Sequence, residues 1–463
     1  MRAGELAGFT YAVFGAARSG IAAAGLLRRM GLDVAVFDEK PAEKAGALKD
    51  ELDALGVASH WGPGALERAA GRGAIILSPG IPREHPVVAR ALADGVRVIG
   101  EVELAAAVTD PGARLVAITG TNGKTTTTAW TAHLLRAAGL NAVLVGNIGD
   151  AWSNHAALPA NRGPRTVFVA ELSSFQLESV EDLHPGVAVL TNLAPDHMDR
   201  YATFADYADA KRNILRNMGA ADHFVWNGDN AASAGFAAGS AVRPVRFSTA
   251  SDGPDTGATA AGGMIVLRGP DGAEHRIMRA DELPLPGLHN LENALAASAA
   301  ALLAGAGPDA IGAGLRSFGG VEHRIELCGT RAADGVRFFN DSKATNLDSL
   351  EKALRSFAEP IVLIAGGRDK NSDYDTLRGL VAERVTRLVT VGEAAPLIEK
   401  SWGGVVETAR AAGMDDAVRR AAALAGPGHV VLLSPACTSY DMYANFEERG
   451  RDFKQCVKRL LEG

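Results

Sequence analysis

Leu115-Val-Ala-Ile-Thr-Gly-Thr-Asn-Gly-Lys-Thr-Thr-Thr-Thr128 is the stretch on which the fold turns. Leu115–Ile118 is a short apolar run of the kind that forms a buried strand, and a helical pattern resumes from Ala129 to Ala138. Between them, Gly120 and Gly123 let backbone N–H groups converge on phosphate oxygens, and the following helix adds the positive end of its dipole. Lys124 is placed to neutralise β- and γ-phosphate charge, and the Thr125 hydroxyl to hold Mg²⁺. The strict pattern of such loops wants glycine where Ile118 stands, so this is a shortened variant. A bare turn at a helix start, with Lys124 solvated, is the alternative. The loop points to a nucleoside triphosphate and leaves the reaction open.

Outward from it, short apolar runs followed by helical patterns recur: Tyr11–Gly15, Val34–Phe37, Ala74–Ser78, Thr166–Ala170, Val187–Leu190, Ile361–Ile364, Leu388–Val391 and His429–Leu433. Strands apolar throughout are covered by helices on both faces, which is the rhythm of parallel α/β units. The strands fall into three groups with seams at Thr109-Asp-Pro-Gly112 and Phe318-Gly-Gly320, giving expected domains 1–107, 108–320 and 321–463. Residues 249–275, rich in Gly, Ala, Asp and Thr, read as turns between short strands.

The formal charge of −7 over 463 residues argues against broad nucleic-acid binding, which needs a basic face. Glu5 interrupts any signal-peptide core, and no run approaches the roughly 20 apolar residues of a membrane span, so the expectation is a cytoplasmic protein with no membrane insertion. Cys328, Cys437 and Cys456 lack metal or disulfide spacing and read as reduced thiols.

Two acidic segments follow strands. Glu171, in Glu171-Leu-Ser-Ser-Phe-Gln-Leu-Glu178, stands at a strand's C-terminal end, where α/β enzymes place ligands. Asp196-His197-Met-Asp199-Arg200 follows the strand Val187–Leu190. Carboxylates suit Mg²⁺, His197 would be an unusual nitrogen ligand, and solvated loop residues are the alternative for each taken singly. Gly15-Ala-Ala-Arg-Ser-Gly20, with Asp38 ending the next strand, looks like a dinucleotide fingerprint. Ala17 replaces the middle glycine that admits a pyrophosphate, which disfavours NAD or FAD, and structural turns remain the alternative.

Gly-Thr-Asn-Gly-Lys-Thr-Thr-Thr-Thr128, Glu171–Glu178 and Thr191-Asn-Leu-Ala-Pro-Asp-His-Met-Asp-Arg-Tyr201 together resemble the Mur ligase family of peptidoglycan precursor synthesis. Gly287-Leu-His-Asn290-Leu-Glu-Asn293 is similar to its adenine-binding segment, and Glu322-His-Arg324 to the hinge opening its C-terminal domain. Asn340-Asp341-Ser-Lys343-Ala-Thr345-Asn346 and Leu433–Phe446 are similar to the branch that adds D-glutamate, and the Asp-Asn-Pro motif of the diamino-acid-adding branch is missing. The resemblance covers nearly the whole chain.

It implies three α/β domains: Rossmann-like at the N-terminus, P-loop ATPase-like in the centre and Rossmann-like at the C-terminus. It implies an enzyme of cell-wall biogenesis that uses ATP and Mg²⁺ to phosphorylate the carboxylate of UDP-N-acetylmuramoyl-L-alanine, which the amine of D-glutamate then attacks. Gly120, Thr121, Asn122, Gly123, Lys124, Thr125 and Thr126 would hold the phosphates of ATP, Asn290 and Asn293 its adenine, Arg324 a phosphate and Asp341 the ribose. For Asn290 alone, helix capping is the competing reading. Thr125, Glu171 and His197 would serve the metal. Lys211 falls where the family carries a carbamylated lysine, although by its residues alone it reads as a helix-surface lysine. Gly15, Ala16, Ala17, Arg18, Ser19, Asp38, Ser78, Pro79, Gly80 and Asn147 would face the UDP-sugar substrate, and Lys343, Thr345, Lys370, Ser439 and Phe446 the D-glutamate. The protein is taken as a monomer acting on small molecules.

Three rival readings remain at this point. A folylpolyglutamate synthase or another Mur ligase would share the central motifs, though the N-terminal Rossmann-like segment counts against the folate enzyme. A non-ligase NTPase needs only the phosphate loop, and a nicotinamide oxidoreductase would leave Lys124 unexplained.

Overall fold

Parallel strands with both faces covered organise the chain, as the apolar runs require. The computed structural model describes residues 3–198, 200–250, 257–285, 287–369 and 372–462. Its first sheet comprises β1 (Tyr11–Phe14), β2 (Val34–Asp38), β3 (Ala58–Trp61), β4 (Ala74–Leu77) and β5 (Arg97–Gly100), ordered β3-β2-β1-β4-β5 and parallel throughout. The order reverses between β1 and β4, so their C-terminal loops flank the crevice where such sheets take ligands.

The second sheet holds β6 (Arg114–Thr119), β7 (Asn141–Gly146), β8 (Thr166–Glu171), β9 (Val187–Leu190), β10 (His223–Asn227), β11 (Arg243–Ser248), β12 (Gly257–Thr259), β13 (Met264–Arg268) and β14 (Glu274–Arg279). Its order is β14-β13-β12-β11-β10-β9-β6-β8-β7, parallel from β7 to β12 and antiparallel at the β12–β13–β14 edge. The turn-rich stretch 249–275 supplies β12 and β13, and its residues 251–256 lie outside the described residues. The third sheet, β15 (Glu326–Thr330), β16 (Arg337–Asn340), β17 (Ile361–Gly366), β18 (Val385–Val391), β19 (Glu407–Arg410) and β20 (Val430–Leu433), runs β15-β16-β20-β17-β18-β19, with only the β15–β16 pair antiparallel.

The chain folds as two compact units that divide between Phe318 and Gly319. Within the first, the helix Glu101–Val108 ties the first sheet to the second through two buried carboxylates. Glu103 accepts the backbone N–H groups of Glu181 (2.9 Å), Asp182 (2.9 Å) and Leu183 (3.2 Å), and Glu101 accepts that of Ser153 (2.6 Å). Buried carboxylates are tolerated when donors meet them in this way. Among the described residues no helix is long and apolar enough to cross a membrane, and the three cysteines are free.

Candidate active site

Strand register assembles the site. β6 lies between β8 and β9, with Ile118 paired to Glu171 on one side and Thr119 to Leu190 on the other. The phosphate loop, Glu171 and the Thr191–Tyr201 segment therefore leave adjacent strands at one edge. Gly120 (φ +145°) and Gly123 (φ +78°) take backbone angles that side chains resist, and a Cβ there would meet Thr191 Oγ1 at 2.0 Å or Asn293 Oδ1 at 2.3 Å. The Thr191 hydroxyl donates to the Asn122 carbonyl (2.6 Å), and the Asn122 N–H to Asn192 Oδ1 (2.9 Å), so β9's end braces the loop. Lys124 Nζ curls over the loop to the carbonyls of Gly120 (2.8 Å) and Thr121 (2.7 Å).

The helix begins at Lys124, ahead of the expected Ala129. The hydroxyls of Thr128 and Thr131 are satisfied inside it by donating to the carbonyls of Lys124 (2.8 Å) and Thr127 (2.7 Å), one turn back. Thr125 is buried in its first turn and Thr126 half-buried. Asn293 accepts from the Thr127 hydroxyl at 3.2 Å, which seats it beneath Gly123. Asn290 lies within the helix Leu288–Leu303, whose N-cap is Gly287, so it is not the capping residue.

Glu171 is 1% exposed; Oε1 accepts the Asn147 side-chain N–H at 2.7 Å, while Oε2 has no hydrogen-bond partner among the described residues. A buried carboxylate oxygen without a donor is costly, and a cation is the group that would satisfy it. Lys211 is also 1% exposed, which corrects the surface reading: helix Phe204–Arg212 turns it inward, with Nζ 4.6 Å from the Tyr207 ring centroid. Burial, reinforced by the nearby Lys124 charge, pulls its amine down to about 7 against the opposing pull of Asp196 and Glu171. His197 takes a left-handed φ of 56°, its N–H bound to Asp196 Oδ1 (3.0 Å) and its ring beside Phe175 (4.8 Å). Asp199 lies outside the described residues.

At the first sheet, Gly15 (φ +92°) packs on Ser78, whose hydroxyl donates to its carbonyl (3.1 Å), and a Cβ on Gly20 would strike the Gly15 carbonyl at 1.9 Å. Asp38 accepts the N–H groups of Ala16 (2.7 Å) and Lys40 (2.8 Å), which fixes the loop's shape. Ala17 and Arg18 are exposed at the N-terminus of helix Arg18–Arg29, Ser19 and Pro79 are half-buried and Gly80 is exposed.

In the second unit, β16, β20 and β17 lie side by side, and Asp341 and Ser434 follow the ends of the first two. Asp341 accepts the Ser434 hydroxyl (2.8 Å) and the Ile325 N–H (3.3 Å), and burial pushes its carboxyl up to about 7. Lys343 and Thr345 are half-buried in the following turn, Ser439 is buried after β20, and Phe446 opens the helix Phe446–Glu462. Arg324 is exposed between His323 and Ile325, both in left-handed φ. Lys370 lies outside the described residues.

Sequence reasoning passed over Arg449. It is 1% exposed, and it donates from Nε to the Ser342 hydroxyl (2.9 Å) and from Nη2 to the carbonyls of Ser342 (2.8 Å) and Cys437 (3.1 Å). One guanidinium thus pins the Ser342–Thr345 turn to the Cys437–Ser439 turn. A charged residue on a helix of strongly polar composition gives no sequence sign that it points inward.

A glycine loop delivering a helix N-terminus at the end of a parallel strand, beside a buried and half-satisfied carboxylate, defines an α/β protein of the phosphate-loop nucleotide-binding class. Residues 10–100 match the Mur ligase MurD-like N-terminal domain, 118–301 the Mur ligase middle domain and 323–437 the Mur ligase glutamate ligase domain. The chain is 44% identical over 462 residues to the UDP-N-acetylmuramoylalanine–D-glutamate ligase of Salinibacter ruber, covering 97% of each. It is 42% identical over 456 residues to the enzyme of that name from Pelotomaculum thermopropionicum, covering 97% of this chain and 98% of the relative. The fold is similar to that of UDP-N-acetylmuramate–alanine ligase from Thermotoga maritima, with a TM-score of 0.56 at 18% identity, over 98% of this chain and all of the other. The chain belongs to the Mur ligase family.

Proposed function

We propose that this chain joins D-glutamate to UDP-N-acetylmuramoyl-L-alanine at the expense of ATP, in peptidoglycan precursor synthesis. The observation that carries the reading is the likeness, over 97% of the chain, to ligases of that name at 44% and 42% identity, and the buried Oε2 of Glu171, without a partner among the described residues, supports an ion beside the phosphate loop. Residues 1–107 take the UDP-sugar, 108–320 take ATP and 321–463 take the amino acid. The enzyme is a cytoplasmic monomer.

Glu171, His197, Thr125 and a carbamate on Lys211 would hold Mg²⁺, which when bound neutralises charge on the transferring phosphoryl group. Lys211 supports this, since an amine near pH 7 has the free electron pair that attacks CO2, giving a carbamate anion and releasing a proton. Lys124 moves from the loop carbonyls to the β- and γ-phosphate oxygens, while the loop N–H groups and the helix N-terminus hold the triphosphate. Asn290, Asn293, Arg324 and Asp341 hold the rest of ATP. The loops Gly15–Ser19 and Ser78–Gly80, with Asp38 and Asn147, align the substrate carboxylate for in-line attack on the γ-phosphorus. The bond from that phosphorus to the β–γ bridging oxygen breaks and ADP leaves. Lys343, Thr345, Lys370, Ser439 and Phe446 orient D-glutamate, whose amine attacks the acyl carbon. The tetrahedral adduct expels phosphate, the amine loses a proton, and an amide remains. Positioning and charge neutralisation supply most of the acceleration in such transfers.

The test is phosphate release from ATP and Mg²⁺ with UDP-N-acetylmuramoyl-L-alanine and D-glutamate, L-glutamate or L-lysine in turn. Release with D-glutamate alone is the expected result; release independent of the amino acid, or none, defeats the reading.

A further inference from the structure

Arg200 makes a set of contacts that phosphate binding does not call for. Its backbone N–H closes the turn onto the His197 carbonyl at 3.0 Å. Its side chain, 19% exposed, donates from Nη2 to Glu178 Oε2 (2.6 Å) and from Nη1 to the Pro79 carbonyl (3.2 Å), and the guanidinium lies 4.2 Å over the Phe175 ring. Glu178 is held from two further sides: its other oxygen accepts the Tyr201 hydroxyl, and its carbonyl accepts Arg83 Nη1 at 3.1 Å. One planar group therefore touches the Ser78–Gly80 loop of the first sheet, the segment running from Glu171 to Glu178, and the turn that presents His197. A guanidinium does this because its fork donates in two directions while its face stacks; an ammonium has no such face.

We propose that Arg200 is a positioning residue that couples occupation of the Ser78–Gly80 loop by the UDP-substrate to the placement of Glu171 and His197 for phosphoryl transfer. The assignment rests on the reaction proposed above. Substrate pressing on Pro79 loads the guanidinium, and the guanidinium steadies both metal-side segments. ATP bound alone does not engage this route.

Steady-state kinetics of full-length Arg200→Ala and Arg200→Lys, with ATP affinity measured in the absence of UDP-substrate, test it. Arg200→Ala should lower kcat at least about tenfold and raise KM for the UDP-substrate at least about fivefold, with KM for D-glutamate and the ATP dissociation constant within about twofold of wild type. Arg200→Lys should fall between the two, and adding Glu178→Gln to Arg200→Ala should change little further, because the two act as one unit. If Arg200→Ala does not fold, Arg200→Lys carries the same comparison. A kcat that falls only with the folded fraction, with every KM unchanged, or ATP affinity lost in parallel, overturns the assignment. An inactive wild type sinks the proposed reaction together with it, whereas an active wild type beside unresponsive variants sinks this assignment alone.

Discussion

The loops after β6, β8 and β9 and those after β16, β20 and β17 each leave three adjacent parallel strands, yet they treat buried charge differently. In the first set Glu171 keeps one oxygen unmet, and Lys211 sits in a site that strips its proton near neutrality. In the second, both oxygens of Asp341 are met, by Ser434 and Ile325, and Arg449 binds two turns together through three bonds while its Nη1 has no hydrogen-bond partner among the described residues. Unmet charge is expensive in an interior, and it persists where a ligand completes it. Charge bonded to two turns at once ties them into one platform. On the proposed function, the first set receives an ion and a triphosphate and the second orients the amino acid.

The comparison breaks most visibly at Lys124. Lys124→Ala should cut phosphate release roughly a hundred- to a thousandfold, the cost of removing one group that stabilises transition-state charge. Near-normal turnover would show that the first set does not carry the transfer.

Lys211 sharpens the comparison through pH. Its folded amine loses its proton near 7 and its unfolded one near 10.5, so the unfolded state binds more protons in that window and stability should rise with pH across it. Denaturant midpoints in CO2-free buffer should show this slope in wild type and not in Lys211→Met. With ¹³C-bicarbonate, a carbamate resonance should grow as pH passes about 7 and be absent from the variant. Equal slopes and no resonance would remove Lys211 from the ion site.

Lys343→Ala addresses the second set. KM for D-glutamate should rise roughly ten- to a hundredfold, matching the about 1.5–3 kcal/mol of a hydrogen bond to a charged group, with KM for ATP unchanged. A rise in both would mean that the platform does not separate the substrates. The smallest effect is expected from Thr127→Val, which removes the bond to Asn293 and should cost about 0.5–1.5 kcal/mol of stability in chemical denaturation.

Much of this was legible in the sequence because strand and loop signals are local. The nine apolar runs all form strands, and the glycines of the phosphate loop take the angles that only glycine accepts readily. Burial was not legible. Lys211 sits on a helix of mixed composition and Arg449 on a strongly polar one, and only the packing of Tyr207 or the Cys437 turn decides which way the charge points. The sharing of Glu171 with Asn147 was equally hidden, since it depends on β7 and β8 lying in register across 24 residues of chain. The acceptor came from the resemblance of the segments around Lys343 and Ser439, because no local rule links a lysine and a serine so far apart to D-glutamate.

The central claim is that the γ-phosphate passes to the substrate carboxylate before the amide forms. UDP-N-acetylmuramoyl-L-alanine carrying ¹⁸O at both oxygens of its alanine carboxylate, turned over with ATP and D-glutamate, tests it directly by mass analysis of the released phosphate. The account requires one ¹⁸O in each phosphate, because the carboxylate oxygen that attacked phosphorus departs with it. Phosphate free of label, alongside amide formation, would contradict it.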